Sequence, residues 1–189
     1  MQRINKRNHC YLTFSFILIG MNVLVWLIPS PASCIAQSLS DADKSQRVMA
    51  MYADYREDFP GIEEIDAAAA IALVGDRDVV FVDVREPEEQ AVSMIPGAVT
   101  SEVFMAGLAY FRGQRIIGYC TISYRSGKLA AKLDREGITM TNLEGGLLAW
   151  VHAGGPLVRG NRPVQEMHVY GRKWDMAPAA IETVHFRFR

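Results

Sequence analysis

Residues 115–136 read RIIGYCTISYRSGKLAAKLDRE, and this stretch decides the fold. The run 115–119 is short and mostly apolar, which is typical of a strand covered on both faces of a parallel sheet. Residues 126–136 are predicted to form a helix, with a serine suited to cap its start and Gly137 just beyond its end. The sequence therefore predicts a strand, a tight loop and a helix, with Cys120 where the strand ends.

The same alternation continues on both sides of this stretch. Residues 79–84 form a short apolar run of the same kind, residues 138–143 are predicted to form a further strand, and residues 95–99 indicate a turn into another strand. Pro87 and the acidic residues after it are typical of a first helical turn. Further helices are predicted over residues 63–74, 104–111 and 147–152, with a short one over 47–55. Alternating strands and helices predict an α/β fold, with a central parallel sheet of about five strands flanked by helices on both faces.

The first 36 residues differ from the rest of the chain. Three basic residues precede an uncharged apolar run at 11–28, and no acidic residue appears before Asp41. This pattern is typical of an export signal, and the small residues after Pro29 favour cleavage near Ala36. We therefore expect an exported, periplasmic protein.

Two other fates of the N-terminal segment stay open. The apolar run 11–28 is long enough to span a bilayer, so it can remain as a membrane anchor. Ser33-Cys34 weakly resembles the lipobox of bacterial lipoproteins, which implies lipidation at Cys34, although Pro31 departs from that pattern. Membrane contact is expected only through this segment. The predicted organisation is a signal peptide or anchor at 1–36, a spacer at 37–60, a domain at 61–160 and a C-terminal extension at 161–189 that packs on the domain.

Charge and cysteine content limit the function classes. The net charge of −1 and the scattered basic residues argue against a nucleic acid partner. Of the three cysteines, Cys10 and Cys34 lie within the first 36 residues, so cleavage after Ala36 leaves Cys120 without a disulfide partner. An unpaired cysteine in an oxidising compartment is either reactive or buried and inert.

The predicted surroundings of Cys120 favour a reactive thiol. Ligands of open α/β sheets bind at the carboxyl ends of the strands, which is where Cys120 lies. The loop 121–125 runs into a helix N-terminus, where backbone N–H groups, the helix dipole and the Arg125 cation favour a thiolate. Such a thiolate suits covalent catalysis in two half-reactions without a neighbouring base. We expect His152 and His168, the nearest histidines in sequence, to be structural or exposed.

The residues from Cys120 to Ser126, with four residues between Cys120 and Arg125, resemble the active loop of rhodanese-type sulfurtransferases. Two further stretches resemble the same family: VDVREPEE at 82–89 with IPGA at 95–98, and LEGG at 143–146 with Trp150 and Gly155-Pro156. Together they cover roughly residues 60–160 and imply a rhodanese-like fold.

The resemblance also implies a reaction and a role for each loop residue. Cys120 would carry a persulfide, and Asp83 and Arg85 would support the site. The residues that would bind the substrate are Thr121, Ile122, Ser123, Tyr124, Arg125 and Ser126. The reaction would move a sulfane sulfur from a small donor, thiosulfate or a persulfide, to a thiol or cyanide-like acceptor, including a protein thiol. No metal and no cofactor is implied.

Three departures from the family pattern bear on this reaction. Ser123 stands where many members have glycine, and a positive φ at this position would cost the serine about 1 kcal/mol or more. Met94 replaces a histidine often found before the IPGA stretch, and we expect it to be peripheral. The loop holds one cation, Arg125, so a preference for doubly charged thiosulfate does not follow.

Two alternative functions share this fold. Related phosphatases have a loop one residue longer, sized for phosphate, and this disfavours a cysteine-dependent phosphatase or arsenate reductase. A non-catalytic binding or redox-sensing module is disfavoured by the presence of Cys120, because inactive members usually lack the cysteine. The sequence therefore favours a sulfurtransferase.

Overall fold

Five parallel strands form the central sheet of the computed structural model, which describes residues 39–186. In chain order they are β1 (Glu64–Ile65), β2 (Val79–Asp83), β3 (Val99–Thr100), β4 (Arg115–Tyr119) and β5 (Thr141–Leu143). Their order in the sheet is β1-β5-β4-β2-β3, and every neighbouring pair is parallel. The predicted α/β fold with a five-stranded parallel sheet is confirmed. The strand β4 has the predicted bounds and lies at the centre.

Helices cover both faces of this sheet, as predicted. They are α1 (Asp41–Arg56), α2 (Ala67–Ile71), α3 (Pro87–Val92), α4 (Ser101–Ala106), α5 (Tyr124–Asp134) and α6 (Gly146–His152). Side chains of α1, α2 and α6 form one hydrophobic cluster, and side chains of α4 and α5 form a second. Because successive strand residues face opposite ways, Phe81 joins the first cluster while Val80 and Val82 join the second.

The helix expected over residues 63–74 is two elements. Residues 64 and 65 form β1 and pair with β5, and the helix α2 begins only at Ala67. The carboxylate of Asp66 caps this helix, because its Oδ1 accepts a hydrogen bond from the Ala69 N–H at 2.9 Å. The capping residue therefore sets the start of the helix, and the apolar spacing before it belongs to a strand.

Three other predicted bounds also change. The helix expected over 104–111 is α4, which begins after Thr100, whose hydroxyl accepts from the Val103 N–H at 3.2 Å, and ends before Gly107. The strand expected over 138–143 is limited to the residues of β5. The helix expected from residue 126 begins two residues earlier, so Ser126 does not cap it.

The stretch expected to be a spacer with a short helix over 47–55 is mostly one helix of 16 residues, α1. A capping box of Ser40 and Asp43 starts it. Val48 and Tyr52 are buried in the core, where α1 packs against α6. This helix is thus part of the folded unit, and it ends beside the carboxyl end of the sheet.

The C-terminal segment adds two small sheets and a turn. The strands β6 (Leu157–Arg159) and β7 (Arg162–Val164) are antiparallel, and β8 (Glu166–His168) and β9 (Glu182–Val184) are parallel. Between β8 and β9 lies a short 3-10 turn, Arg172–Trp174. The segment is tied to α1, because Lys44 Nζ donates to the Ala177 carbonyl and the Ala179 N–H donates to Asp41 Oδ1, both at 2.9 Å.

The export, anchor and lipidation predictions concern residues 1–36, which lie outside the described residues. Within residues 39–186, no helix has the length and apolar character needed to cross a membrane.

Candidate active site

The loop after β4 carries Cys120 into a left-handed turn. Ser123, the last residue before α5, has φ 60° and ψ 22°, which is the left-handed region that favours glycine. The positive φ inferred from the resemblance is therefore present, at a cost of about 1 kcal/mol. The Ser123 side chain is buried, and its hydroxyl has no partner among the described residues. The turn at Ser123 is therefore strained, and α5 begins directly after it.

The carbonyl groups of this loop are bound by the elements behind it. At the start of α6, the Leu147 N–H donates to the Cys120 carbonyl at 2.9 Å, and the Leu148 N–H donates to the Thr121 carbonyl at 3.1 Å. These carbonyl groups therefore lie against the N-terminus of α6.

Gly146 makes this close approach possible. A Cβ on Gly146 would lie 2.7 Å from the Ser123 nitrogen and closer still to the Cys120 carbonyl oxygen. The residue also has φ +61°, so a side chain here meets both steric and conformational resistance. Gly146 thus supports the loop directly.

Asn142 and Ser126 brace the loop from below. Asn142 Nδ2 donates to the Ser123 carbonyl at 3.0 Å, and the Ser126 hydroxyl donates to Asn142 Oδ1 at 2.7 Å. Both side chains are buried. Ser126, expected to bind substrate, therefore lies behind the loop and holds it in place.

The backbone N–H groups of the loop are left available. Those of residues 122–126 donate to no acceptor within the described part of the chain. They comprise the loop and the first turn of α5, where N–H groups have no partner inside the helix. Because the neighbouring carbonyls are bound elsewhere, these N–H groups can stabilise an anion carried by Cys120.

Arg125 is held by a buried carboxylate from α3. Its Nη1 donates to Glu89 Oε2 at 2.7 Å and its Nη2 donates to Glu89 Oε1 at 2.9 Å, a two-pronged ion pair. The Thr121 hydroxyl donates to the same carboxylate at 3.0 Å. Burial alone would raise the pKa of Glu89, but the hydrogen bonds from Arg125 and from the Glu86 N–H outweigh it and lower that pKa. The loop cation is thus neutralised and fixed.

Sequence reasoning missed Glu89 as part of the site. The signal was present, since Glu89 lies in the VDVREPEE stretch, but acids there were assigned only to the helix dipole. Glu89 lies 36 residues before Arg125, so their contact follows from the fold and from no local pattern.

Asp83 and Arg85 form a second, wholly buried ion pair. Arg85 Nη2 donates to Asp83 Oδ2 at 2.7 Å, and both side chains are inaccessible to solvent. The Tyr119 hydroxyl also donates to Asp83, at 2.8 Å, and accepts from the Ile95 N–H at 3.1 Å. This network joins the ends of β2 and β4 immediately before Cys120. Neither side chain lines the pocket described below, and the supporting role of Asp83 and Arg85 stays a prediction.

A pocket of about 480 Å³ opens above Cys120. Its floor and one side come from the loop: Cys120, Thr121, Ile122, Tyr124 and Arg125. Cys120 is only 2% exposed, so a reactant reaches its sulfur through this pocket. Ser123 and Ser126 do not line it. The structure therefore brings together five of the seven loop residues expected to form the site.

Three aromatic residues form the opposite walls of the pocket. Tyr55 comes from the end of α1, and Tyr170 and Trp174 come from the C-terminal segment. Sequence analysis placed none of them at the site and predicted only that the C-terminal extension packs on the domain. Their sequence distance from Cys120 hides their proximity.

Among the described residues, no histidine lines the pocket. His152 Nε2 lies 2.8 Å from the Met176 carbonyl oxygen. His168 is buried, with Nδ1 accepting from the Tyr170 N–H at 3.0 Å, and burial lowers its pKa. Both positions suit the structural role that we expected. Within the described residues, no group of three or more His, Cys, Asp or Glu side chains could hold a metal ion.

Comparison with known proteins places this architecture in context. A family model described as "Rhodanese-like domain" matches residues 66–153. A protein named sulfurtransferase from Allochromatium vinosum is 31% identical over 102 residues, which cover 51% of this chain and 95% of the relative. A protein from Bacillus subtilis strain 168 with a provisional sulfurtransferase name is 33% identical over 95 residues, which cover 47% of this chain and 90% of the relative.

A solved structure is also similar. It comes from Rhodopseudomonas palustris CGA009 and is described as a protein of unknown function and possible tyrosine phosphatase. It is 28% identical, covers 59% of this chain and 93% of its own, and superimposes with a TM-score of 0.47.

Proposed function

The chain belongs to the rhodanese-like domain family, and we propose that it is a sulfurtransferase that carries sulfane sulfur as a persulfide on Cys120. One observation carries the proposal: Cys120 lies on the floor of a pocket, in a loop whose free N–H groups can stabilise a sulfur anion. The small donor is thiosulfate or a persulfide. The acceptor is cyanide-like or a thiol, including a protein thiol.

The reaction has two half-reactions. The Cys120 thiolate attacks the outer sulfur of the donor, the donor's sulfur bond breaks, and its electron pair leaves with the remainder of the donor. A thiophilic acceptor then attacks the terminal sulfur of the persulfide, and the Cys120 thiolate is released. In both steps the N–H groups of residues 122–126 stabilise negative charge that moves between sulfur atoms.

Loop length and charge support sulfur over phosphate as the group transferred. Four residues separate Cys120 from Arg125, one fewer than in the related phosphatases. Glu89 further neutralises Arg125, and a phosphate dianion would need that cation free. Both features disfavour a phosphatase or arsenate reductase.

A binding or redox-sensing module is the second candidate function. The observation that favours it is the 2% exposure of Cys120, which limits access to the sulfur. Turnover separates the two functions, because a module without turnover can hold sulfur yet does not release it to an acceptor repeatedly.

The proposed location follows from the N-terminal segment alone. We infer that residues 1–36 direct the protein out of the cytoplasm to the periplasm, with anchoring by residues 11–28 or lipidation at Cys34 as alternatives. Membrane contact would then be limited to that segment. Nucleic acid is not a proposed partner.

Thiocyanate formation from thiosulfate and cyanide tests the proposed function. We expect multiple turnovers by the purified full chain and none by Cys120→Ser. Tyr110→Ala is the matched control, because Tyr110 is 83% exposed and does not line the pocket. Turnover by Cys120→Ser would contradict the assignment. A wild type inactive with thiosulfate and with organic sulfane donors would favour the binding module.

A further inference from the structure

The pocket above Cys120 is larger than the transferred sulfur requires. Its volume of about 480 Å³ falls within the range of sites for small organic molecules, roughly 300–1,000 Å³. Its far walls, Tyr55, Tyr170 and Trp174, lie outside residues 66–153, where the family model matches. These walls therefore lie outside the part of the chain that the family model describes.

The aromatic walls are held in place by specific contacts. The Tyr55 and Tyr124 rings lie 5.2 Å apart, and the Tyr170 and Trp174 rings meet edge to face at 5.5 Å. Tyr170 adopts φ 53°, an unfavourable conformation for a tyrosine, and its N–H donates to the buried His168 ring. A strained residue held in this way presents its ring in one orientation.

The charges around the pocket favour an organic anion over an inorganic dianion. Arg125 is neutralised by Glu89, and its guanidinium carbon lies 5.4 Å from the Tyr170 ring centre. Lys173 makes no ion pair within residues 39–186, and its Nζ donates to the Tyr55 hydroxyl at 3.1 Å. Glu86 also lines the pocket, so the acids and cations around it are balanced and leave no surplus positive charge for a dianion.

We propose that Tyr55, Tyr170 and Trp174 form an aromatic subsite that binds the planar organic body of a monoanionic sulfane-sulfur donor. Lys173, which contacts the wall residues Tyr55 and Trp174, attracts the anion, and the outer sulfur of the donor points to Cys120. This inference rests on the proposed sulfurtransferase function and names the class of its donor: aryl or similarly planar compounds with a terminal sulfane sulfur.

An aryl thiosulfonate is a suitable probe for this class. The Cys120 thiolate attacks the terminal sulfur, the bond between that sulfur and the sulfonyl sulfur breaks, and its electron pair leaves as the aryl sulfinate. Cys120 then carries a persulfide anion, so atoms and charge balance and no oxidant or reductant is consumed.

The experiment compares benzenethiosulfonate with methanethiosulfonate, two monoanions that differ in the body attached to the sulfonyl group. For thiocyanate formation by the full chain, kcat/KM with benzenethiosulfonate is divided by kcat/KM with methanethiosulfonate. This ratio is then divided by the ratio of the uncatalysed rates of the same two donors with cyanide. A ring contact gives roughly a two- to tenfold effect, so the wild type should prefer the aryl donor by about tenfold or more.

Variants separate the aromatic subsite from general effects on the fold. Tyr170→Ala and Trp174→Leu should each lower the ratio about threefold or more, while Tyr110→Ala should keep it. Because both donors are measured on the same variant, a loss of folded protein cancels from the ratio.

Each outcome decides one claim. The aromatic subsite would be overturned if the protein used both donors and neither Tyr170→Ala nor Trp174→Leu changed the ratio of their kcat/KM values. The rings would then have only a packing role. No transfer by the wild type from either donor or from thiosulfate would overturn the sulfurtransferase function itself.

Discussion

Replacing Glu89 with glutamine tests how the loop cation is controlled. The substitution keeps the side-chain shape but removes the charge that meets Arg125 in two hydrogen bonds. Removal of one partner of a buried ion pair costs roughly 3–5 kcal/mol. Glu89 is fully buried, whereas the Arg125 side chain is 28% exposed and can regain some hydration. We therefore expect Glu89→Gln to lower the free energy of unfolding by about 2–3 kcal/mol.

Urea denaturation of the full chain at pH 7 measures this loss. Glu86→Gln is the matched control, because Glu86 is 59% exposed and its Oε1 lies 3.8 Å from the same guanidinium. An exposed pair of this kind contributes about 0–1 kcal/mol, so the control should change little. Equal and small losses in the two variants would refute the structural role of Glu89.

The pH dependence of the difference in the free energy of unfolding between the wild type and Glu89→Gln gives an independent check. Since the pKa of Glu89 is lowered in the folded protein, its contribution is complete above the ordinary glutamate range and disappears as pH falls through the lowered pKa. The stability gap between wild type and Glu89→Gln should thus close below about pH 4. A gap that widens on acidification would contradict the assigned sign.

The same substitution has a consequence for donor choice. Without Glu89, only the exposed Glu86, 3.8 Å away, remains to offset the positive charge of Arg125. We expect the kcat/KM for the thiosulfate dianion, relative to that for methanethiosulfonate, to rise in Glu89→Gln. A fall in this ratio would show that the ion pair does not limit the use of dianions.

Three further predictions follow from the site. Ser123→Gly relieves the left-handed backbone conformation of the serine and removes its unpartnered hydroxyl. The free energy of unfolding measured by urea denaturation should therefore rise by about 1 kcal/mol. A lower free energy of unfolding would contradict the strain at this turn. Gly146→Ala forces the Cys120 carbonyl away from α6, so the rate of thiocyanate formation should fall at least about tenfold. An unchanged rate would show that the loop tolerates this movement. Burial lowers the pKa of His168 in the folded protein, so the unfolded chain binds a proton at higher pH and the free energy of unfolding should fall as pH drops below about 6.5. His168→Gln should reduce the difference in the free energy of unfolding between pH 7 and pH 5.5. An unchanged difference would exclude His168 as its source.

The sequence was most informative where contacts are local. The run 115–119 is apolar enough to specify a buried strand, and the glycine preferred at position 123 pointed to the positive φ that Ser123 adopts. The helix α1 was harder to interpret, because only Val48 and Tyr52 of its 16 residues are buried and most of its other positions are polar or alanine. A weak apolar pattern of this kind resembles a solvated spacer.

The remaining parts of the site depend on contacts between distant residues. Glu89 reaches Arg125 only because α3 and α5 both begin at the carboxyl edge of the sheet. Tyr55 and Trp174 both line the pocket because the C-terminal segment contacts α1 at its first turn and again through the bond from Lys173 to the Tyr55 hydroxyl. Local spacing carries no signal for such meetings, since they are set by how whole elements pack.

The central claim is that Cys120 carries the sulfur, and intact-mass measurement of the full chain tests it most directly. After incubation with thiosulfate or benzenethiosulfonate and removal of excess donor, the wild type should gain the mass of one sulfur atom, which cyanide then removes as thiocyanate. Cys120→Ser should gain no such mass. A sulfur adduct of equal yield on Cys120→Ser, or an adduct on the wild type that cyanide does not remove, would contradict the account.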